Sequence, residues 1–285
     1  MTGNSYLISA QELHSALSTE DIVIVDCRFD LADKSAGRTA YEAAHIPGAV
    51  YADLDRDLAA AVGPRTGRHP LPDPDLLAAT FGRLGIGHQS RVVVYDTASG
   101  GIAARCWWLL HWLGNDRVQL LDGGFNAWRT AGYVVKEGVE HRSSVTFAPS
   151  PRRELVVTTA ELEEALSGAR NATLVDARDA ARFRGEVEPI DPVAGHVPGA
   201  RNMPFTAFLN PDGTWLDANR RAALWHGLFD APPATPWAVM CGSGVTACHL
   251  VISALEAGLP EPRLYVGSWS EWITEPGRPI ARGGA

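Results

Sequence analysis

"WAVMCGSGVTACHL", residues 237–250, decides how the chain is read. A short apolar run, Ala238–Met240, ends at Cys241. Five small residues follow, Gly242, Ser243, Gly244, Val245 and Thr246, and then an apolar helical pattern begins. A strand that feeds a helix through a short loop is the unit of a parallel α/β sheet, because parallel neighbours need a crossover. The stretch also has an echo in the first half of the chain, "VVVYDTASGGIAAR" at 92–105, with an aspartate, Asp96, where the cysteine stands.

Other stretches are echoed too. "IVIVDCR" at 22–28 returns as "ATLVDAR" at 172–178, and "AHIPGAV" at 44–50 as "GHVPGAR" at 195–201. "LLDGGFNAW" at 120–128 returns as "LYVGSWSEW" at 264–272. The partners lie 144 to 151 positions apart and keep their order, which marks a duplication. Strands are expected at Ile22–Val25, Val92–Tyr95 and Val118–Leu121, and again at Thr173–Val175, Ala238–Met240 and Leu264–Val266. "AARCWWLLHWLG" at 103–114 reads as a mostly buried helix stopped by a glycine. Alternating strands and helices give an α/β class: two tandem domains, each a mainly parallel sheet flanked by helices. Their expected bounds are 1–138 and 154–285, joined by a polar linker at 139–153.

Composition narrows the function. The chain has 285 residues, 46% of them hydrophobic, and a net charge of −8, which disfavours nucleic acid as a partner. The apolar runs are too short and too interrupted for a membrane span. The N-terminus shows no basic segment followed by an apolar core, so a cytoplasmic protein with reduced thiols is expected. The four cysteines, Cys27, Cys106, Cys241 and Cys248, include no C-x-x-C pair, so neither a metal nor a dithiol motif is suggested, and no cofactor is implied.

Duplication also separates fold from chemistry. Asp26 and Asp176, Arg28 and Arg178, and His45 and His196 occur in both halves and read as parts of the shared fold. Cys241 occurs in one half only. A Gly-Ser-Gly-Val-Thr loop between strand and helix can turn its backbone N–H groups inward, and such a nest favours an anion, here the Cys241 thiolate. Cys241 is thus the candidate nucleophile. Gly242, Gly244, Val245 and Thr246 are the candidate anion-binding loop.

The loop "CGSGVTACH", the paired "HIPGA" and "HVPGA" motifs, and "DGGFNAW" with "GSWSEW" resemble the rhodanese-like sulfurtransferases, of the mercaptopyruvate type. The resemblance covers almost the whole chain. It implies two rhodanese-like domains, the second catalytic, and transfer of sulfane sulfur through a persulfide on Cys241. The donor would be a small molecule, 3-mercaptopyruvate, and the acceptor a thiol, thioredoxin or cyanide. By the same resemblance Arg182, in "DARDAARFRG", faces the donor's anionic group. Ser243, His69 (in "RHPLP") and Asp55 (in "ADLDRD") match a serine–histidine–aspartate set.

One departure concerns the donor. The family commonly carries a second arginine in an "EPRPG"-like segment, and "GEVEPIDPVAGH" at 185–196 has none. Thiosulfate enzymes carry arginine and lysine directly after the cysteine, where this chain has Gly242 and Ser243. Thiosulfate transfer is the alternative, followed by a non-enzymatic persulfide-binding or regulatory protein. A cysteine phosphatase would need an arginine at position 247, which is alanine. A Cys241–Cys248 redox couple is a further alternative.

Overall fold

The computed structural model describes residues 5–167, 173–229, 233 and 236–284, so Ala172, the first residue of the echo at 172–178, lies outside it. The chain divides into two compact units. The first comprises Met1–Ala60, Pro72–Arg152 and Leu209–Trp215. The second comprises Ala61–Leu71, Arg153–Phe208 and Leu216–Ala285. Each unit therefore takes in a short segment from the other half of the sequence. The stretch read as a linker packs on the first unit, with Val145 N–H on Gly82 O, Ser150 N–H on Leu113 O and Phe147 buried.

The first unit contains β1 (Leu7–Ile8), α1 (Ala10–Ala16), β2 (Ile22–Asp26), α2 (Ala36–Ala43), β3 (Ala49–Tyr51), α3 (Pro74–Arg83), β4 (Arg91–Tyr95), α4 (Ala103–Trp112), β5 (Val118–Leu121) and α5 (Gly124–Thr130). Its strands form one parallel sheet in the order β1-β5-β4-β2-β3. β2, "IVIVD", is buried at every residue, as a strand covered on both faces must be. All ten residues of α4 are buried. Arg105 is among them, its Nε 3.5 Å from Leu58 O and its guanidinium over Trp108.

The second unit contains β6 (Val156–Val157), α6 (Thr159–Ser167), β7 (Leu174–Asp176), α7 (Ala180–Phe183), β8 (Arg201–Asn202), α8 (Ala218–Leu228), β9 (Ala238–Met240), α9 (Ala247–Glu256), β10 (Arg263–Tyr265) and α10 (Ser268–Trp272). The order β6-β10-β9-β7-β8 repeats the first sheet, again parallel throughout. The middle strand of each sheet, β4 or β9, leads into the loop that carries Asp96 or Cys241.

The inner strands lie where the sequence pattern expects them, to within a residue. The outer ones, β1, β3, β6 and β8, are two or three residues long and show no readable period.

The residues common to both halves build the same scaffold twice. Arg28 forms a buried ion pair with Asp26 (2.6 Å) and donates to Ala44 O. Arg178 repeats this with Asp176 (2.7 Å) and Gly195 O. His45 Nδ1 lies 2.8 Å from Tyr41 O and His196 Nδ1 lies 2.7 Å from Phe183 O, each ring stacked on the aromatic it meets. Removing one partner of a pair this buried costs about 3–5 kcal/mol, so these side chains fix the ends of the strands.

Candidate active site

β9 ends at Met240, so Cys241 emerges at the carboxyl end of the middle strand, and α9 begins six residues later at Ala247. The backbone there is clamped to α10. Trp269 N–H donates to Cys241 O (3.0 Å) and Ser270 N–H to Gly242 O (2.9 Å). Cys241 N–H donates to Ser268 Oγ (3.1 Å), whose hydroxyl donates onward to Tyr265 O (2.9 Å). Ser268 holds φ 53°, which is rare for a residue with a side chain. The matching position in the first unit is Gly124, at φ 55°.

Gly244 makes the loop possible. Its φ is +74°, and a Cβ there would lie 2.5 Å from Val266 O. Val245 is buried, and Thr246 precedes α9 as its N-cap. The first unit shows what such a loop can hold. Its equivalent, one residue longer, closes on Asp96, with Gly100 at the same φ of 74°. The Asp96 carboxylate accepts from Ala98 N–H (3.2 Å), Gly100 N–H (2.9 Å), Ile102 N–H (2.9 Å) and Ala103 N–H (3.1 Å). Four backbone donors on one anion make a nest.

The segment Ala61–Leu71 belongs to the second unit and lies over the Cys241 loop. Gly67 passes so close to α10 that a Cβ would meet Gly267 O at 2.6 Å. Arg68 N–H donates to Ser270 Oγ (3.1 Å). His69 is buried, and its Nδ1 is 2.8 Å from Ser243 Oγ. Cys241, Ser243, His69, Arg182, Gly242, Gly244, Val245 and Thr246 thus all lie in one unit. Asp55 lies in the first unit, where its carboxylate is 2.7 Å from Lys34 Nζ and its N–H donates to Asp53 Oδ1.

Arg182, on α7, is held by two carboxylates: Nε and Nη2 reach Glu188 (3.1 and 2.7 Å), and Nη2 also reaches Asp191 (3.2 Å). Asp191 in turn pairs with Arg68. Burial works against a charged Glu188, but Arg182 and the N–H groups of Asp191 and Ile190 outweigh it and hold this carboxyl below its usual range. Burial pushes Asp191 up, against the attraction of Arg68 and Arg182. Both guanidiniums stand over Gly242: Arg68 Nη2 lies 2.9 Å and Arg182 Nη2 3.7 Å from where a Cβ would be.

Arg68, Glu188, Asp191 and Ser268 escape the sequence reading. Arg68 could be suspected from its place beside His69, and Ser268 from replacing a glycine of the first-half echo. Asp191 sits in the segment read only for its missing arginine. None of the four cysteines forms a disulfide, and Cys27, Cys106 and Cys248 are fully buried. Burial, with Cys106 alongside, pushes the Cys27 thiol up. Among the described residues no group of three or more His, Cys, Asp or Glu could hold a metal ion. No described helix is long and apolar enough to cross a membrane.

The fold and site define a duplicated parallel α/β protein with one loop-mounted cysteine in its second half. The rhodanese-like domain profile matches residues 9–131 and 158–275, and the chain belongs to the rhodanese-like family. It is 48% identical over 282 residues to a Pseudomonas aeruginosa protein named probable 3-mercaptopyruvate sulfurtransferase, covering 98% of this chain and 99% of that one. It is 41% identical to a Mycobacterium tuberculosis protein provisionally named thiosulfate sulfurtransferase SseB, covering 98% of each. The solved structure of SseA from Escherichia coli, a 3-mercaptopyruvate enzyme, superposes with TM-score 0.81 at 30% identity, over 94% of this chain and 100% of that one.

Proposed function

We propose that the protein is a sulfurtransferase that takes sulfur from 3-mercaptopyruvate through a persulfide on Cys241. The thiolate attacks the donor's sulfur and forms an S–S bond. The donor's C–S bond breaks, its electron pair stays on carbon as the enolate of pyruvate, and a proton completes the product. An acceptor thiolate or cyanide then attacks the outer sulfur and returns Cys241 as thiolate. No external oxidant or cofactor enters the cycle.

The observation that carries this reading is the Ser243–His69 hydrogen bond, two residues beyond the nucleophile. An enolate leaving group needs a donor aimed at its developing oxyanion. With His69 donating from Nδ1, the Ser243 proton is left to point at that oxygen. Arg182 meets the donor's carboxylate, and the 242–246 loop stabilises both thiolate and persulfide. Asp55 is assigned to this set by the family resemblance alone. The sequence supports reduced cytoplasmic thiols, and the acceptor is a small thiol, thioredoxin or cyanide. A second reading, thiosulfate as donor, draws on the two guanidiniums over Gly242 and on the name of the mycobacterial relative.

Incubation with each donor followed by intact-mass measurement tests the proposal. A 3-mercaptopyruvate-dependent gain of about 32 Da, lost in Cys241→Ser and kept in Cys27→Ala, Cys106→Ala and Cys248→Ala, is the expected outcome. A kcat/KM for thiosulfate at or above that for 3-mercaptopyruvate overturns the donor assignment. An adduct that survives Cys241→Ser overturns the mechanism.

A further inference from the structure

Six side chains of the second unit alternate in charge along one line. Asp176 pairs with Arg178, Arg178 also reaches Glu188 (3.6 Å), Glu188 holds Arg182, Arg182 touches Asp191, and Asp191 holds Arg68. Three guanidiniums face three carboxylates, so the line is neutral. It also runs from core to surface: side-chain exposure of the arginines rises from 1% at Arg178 to 15% at Arg182 and 27% at Arg68. Arg68 is the open end. Its one carboxylate partner in the line is Asp191, and its Nε has no hydrogen-bond partner among the described residues.

Arg68 also stands where a side chain at position 242 would begin, its Nη2 2.9 Å from that Cβ site. Glycine at 242 leaves the space, and Arg68 fills it from another segment. Its backbone is fixed by the Ser270 hydroxyl and by His69 next door, so the guanidinium is held in position.

We propose that Arg68 is the second donor-binding arginine of this site, and that Asp191, shared between Arg68 and Arg182, sets its preference for singly charged donors. The proposal rests on the sulfur-transfer reading above. A carboxylate can bridge the two guanidiniums, each of which presents planar N–H donors. Asp191 and Glu188 already balance the charges of Arg68 and Arg182. A monoanion therefore brings one uncompensated charge, and a compact dianion such as thiosulfate brings two, into a partly buried place. Asp191 is a positioning and charge-setting residue that acts through the arginines.

The test compares full-length wild type, Arg68→Ala, Arg68→Lys, Arg182→Ala and Asp191→Asn. Measured for each are kcat/KM for 3-mercaptopyruvate and for thiosulfate, and the rate at which preformed persulfide is discharged to cyanide. Arg68→Ala is expected to lower 3-mercaptopyruvate kcat/KM by roughly ten- to hundredfold, mainly through KM, the range of a lost charged hydrogen bond. Arg68→Lys restores part of this, and discharge to cyanide falls less than donor use. Asp191→Asn shifts the thiosulfate to 3-mercaptopyruvate ratio upward by about tenfold, a readout that plain loss of structure does not move in one direction. Unchanged donor constants in Arg68→Ala and Arg68→Lys, in protein that still acquires the Cys241 adduct, overturn the role of Arg68. An unchanged ratio in Asp191→Asn overturns that of Asp191. Wild type that acquires no adduct from either donor overturns the underlying sulfur-transfer reading instead, and the two failures are told apart by that control.

Discussion

Asp96→Asn isolates the physics of the nest from the chemistry of sulfur. Asp96 is 5% exposed and accepts four backbone N–H bonds, two on each carboxylate oxygen. Asparagine keeps one oxygen and turns an NH2 group toward the other two donors. Two charge-assisted bonds disappear and two N–H groups face a donor. At about 1.5–3 kcal/mol for each charged hydrogen bond, the loss is roughly 3–5 kcal/mol after local relaxation. That is a large part of the ~5–15 kcal/mol by which a domain is usually stable. Urea unfolding of the full chain, followed by tryptophan fluorescence, reads it directly. With a slope of about 1–3 kcal/mol per molar urea, the midpoint of the transition reporting the first unit drops by roughly 1–5 M. Cys241, in the other unit, should still take up sulfur below that midpoint. A midpoint within about 0.3 M of wild type would mean that the loop does not depend on an anion, and would refute the anion-nest reading of both loops.

Two other outcomes follow from the second unit. Ser243→Ala and His69→Ala should each lower kcat for 3-mercaptopyruvate by about 10–100-fold, with a smaller effect on persulfide discharge, if the hydrogen bond they share serves the enolate as proposed; stopped-flow single turnovers separate the two steps, and equal losses in both would refute it. Arg263 and the Thr158 N–H and hydroxyl pull the Glu161 carboxyl down to about 2. A depressed folded value adds stability that is fully present above the ordinary carboxylate range and is lost as pH falls toward 2. Glu161→Gln should therefore lower Tm at pH 7 and converge with wild type at strongly acid pH. Because the group is largely exposed, the effect is small. Parallel Tm curves would refute it.

How far the sequence could be read depended on range. The inner strands, the buried helix 103–112 and the cysteine loop are local patterns, and their periods or compositions are visible in a dozen residues. The short outer strands take their form from their neighbours. The segment Ala61–Leu71 is the sharper case. It is flanked on both sides by first-unit sequence, yet it packs on the Cys241 loop because Gly67 can approach Gly267 O and because Ser270 and Ser243 offer hydroxyls to Arg68 and His69. Those partners are about 170–200 positions away, and no window reveals them. A fragment beginning at residue 154 would keep the nucleophile and lose both Arg68 and His69. Asp191 is illegible for a different reason: its own segment carries no arginine, and the cation it holds, Arg68, arrives from more than a hundred positions away.

On the proposed reading, the two loops also account for chemistry in the second half and not in the first. Each follows the middle strand of its own sheet, the two sheets having the same strand order, and both turn on a glycine at φ 74°. In the first, a carboxylate satisfies the nest permanently, because an aspartate can neither leave nor exchange a group. In the second, the anion can be a thiolate or a persulfide. The charge is the same in both forms and only its position moves outward by one sulfur, so a nest that favours one favours the other and adds little to the barrier between them. The backbone must then be held still while the side chain changes length. Ser268 does this: its hydroxyl takes the Cys241 N–H and anchors to Tyr265 O. It does so at φ 53°, a conformation that costs a residue with a Cβ about 1–2 kcal/mol and that the first unit gives to a glycine. Among the described residues Ser268 is the one non-glycine at positive φ, and it lies in the half whose loop carries the proposed nucleophile, where a held backbone is needed.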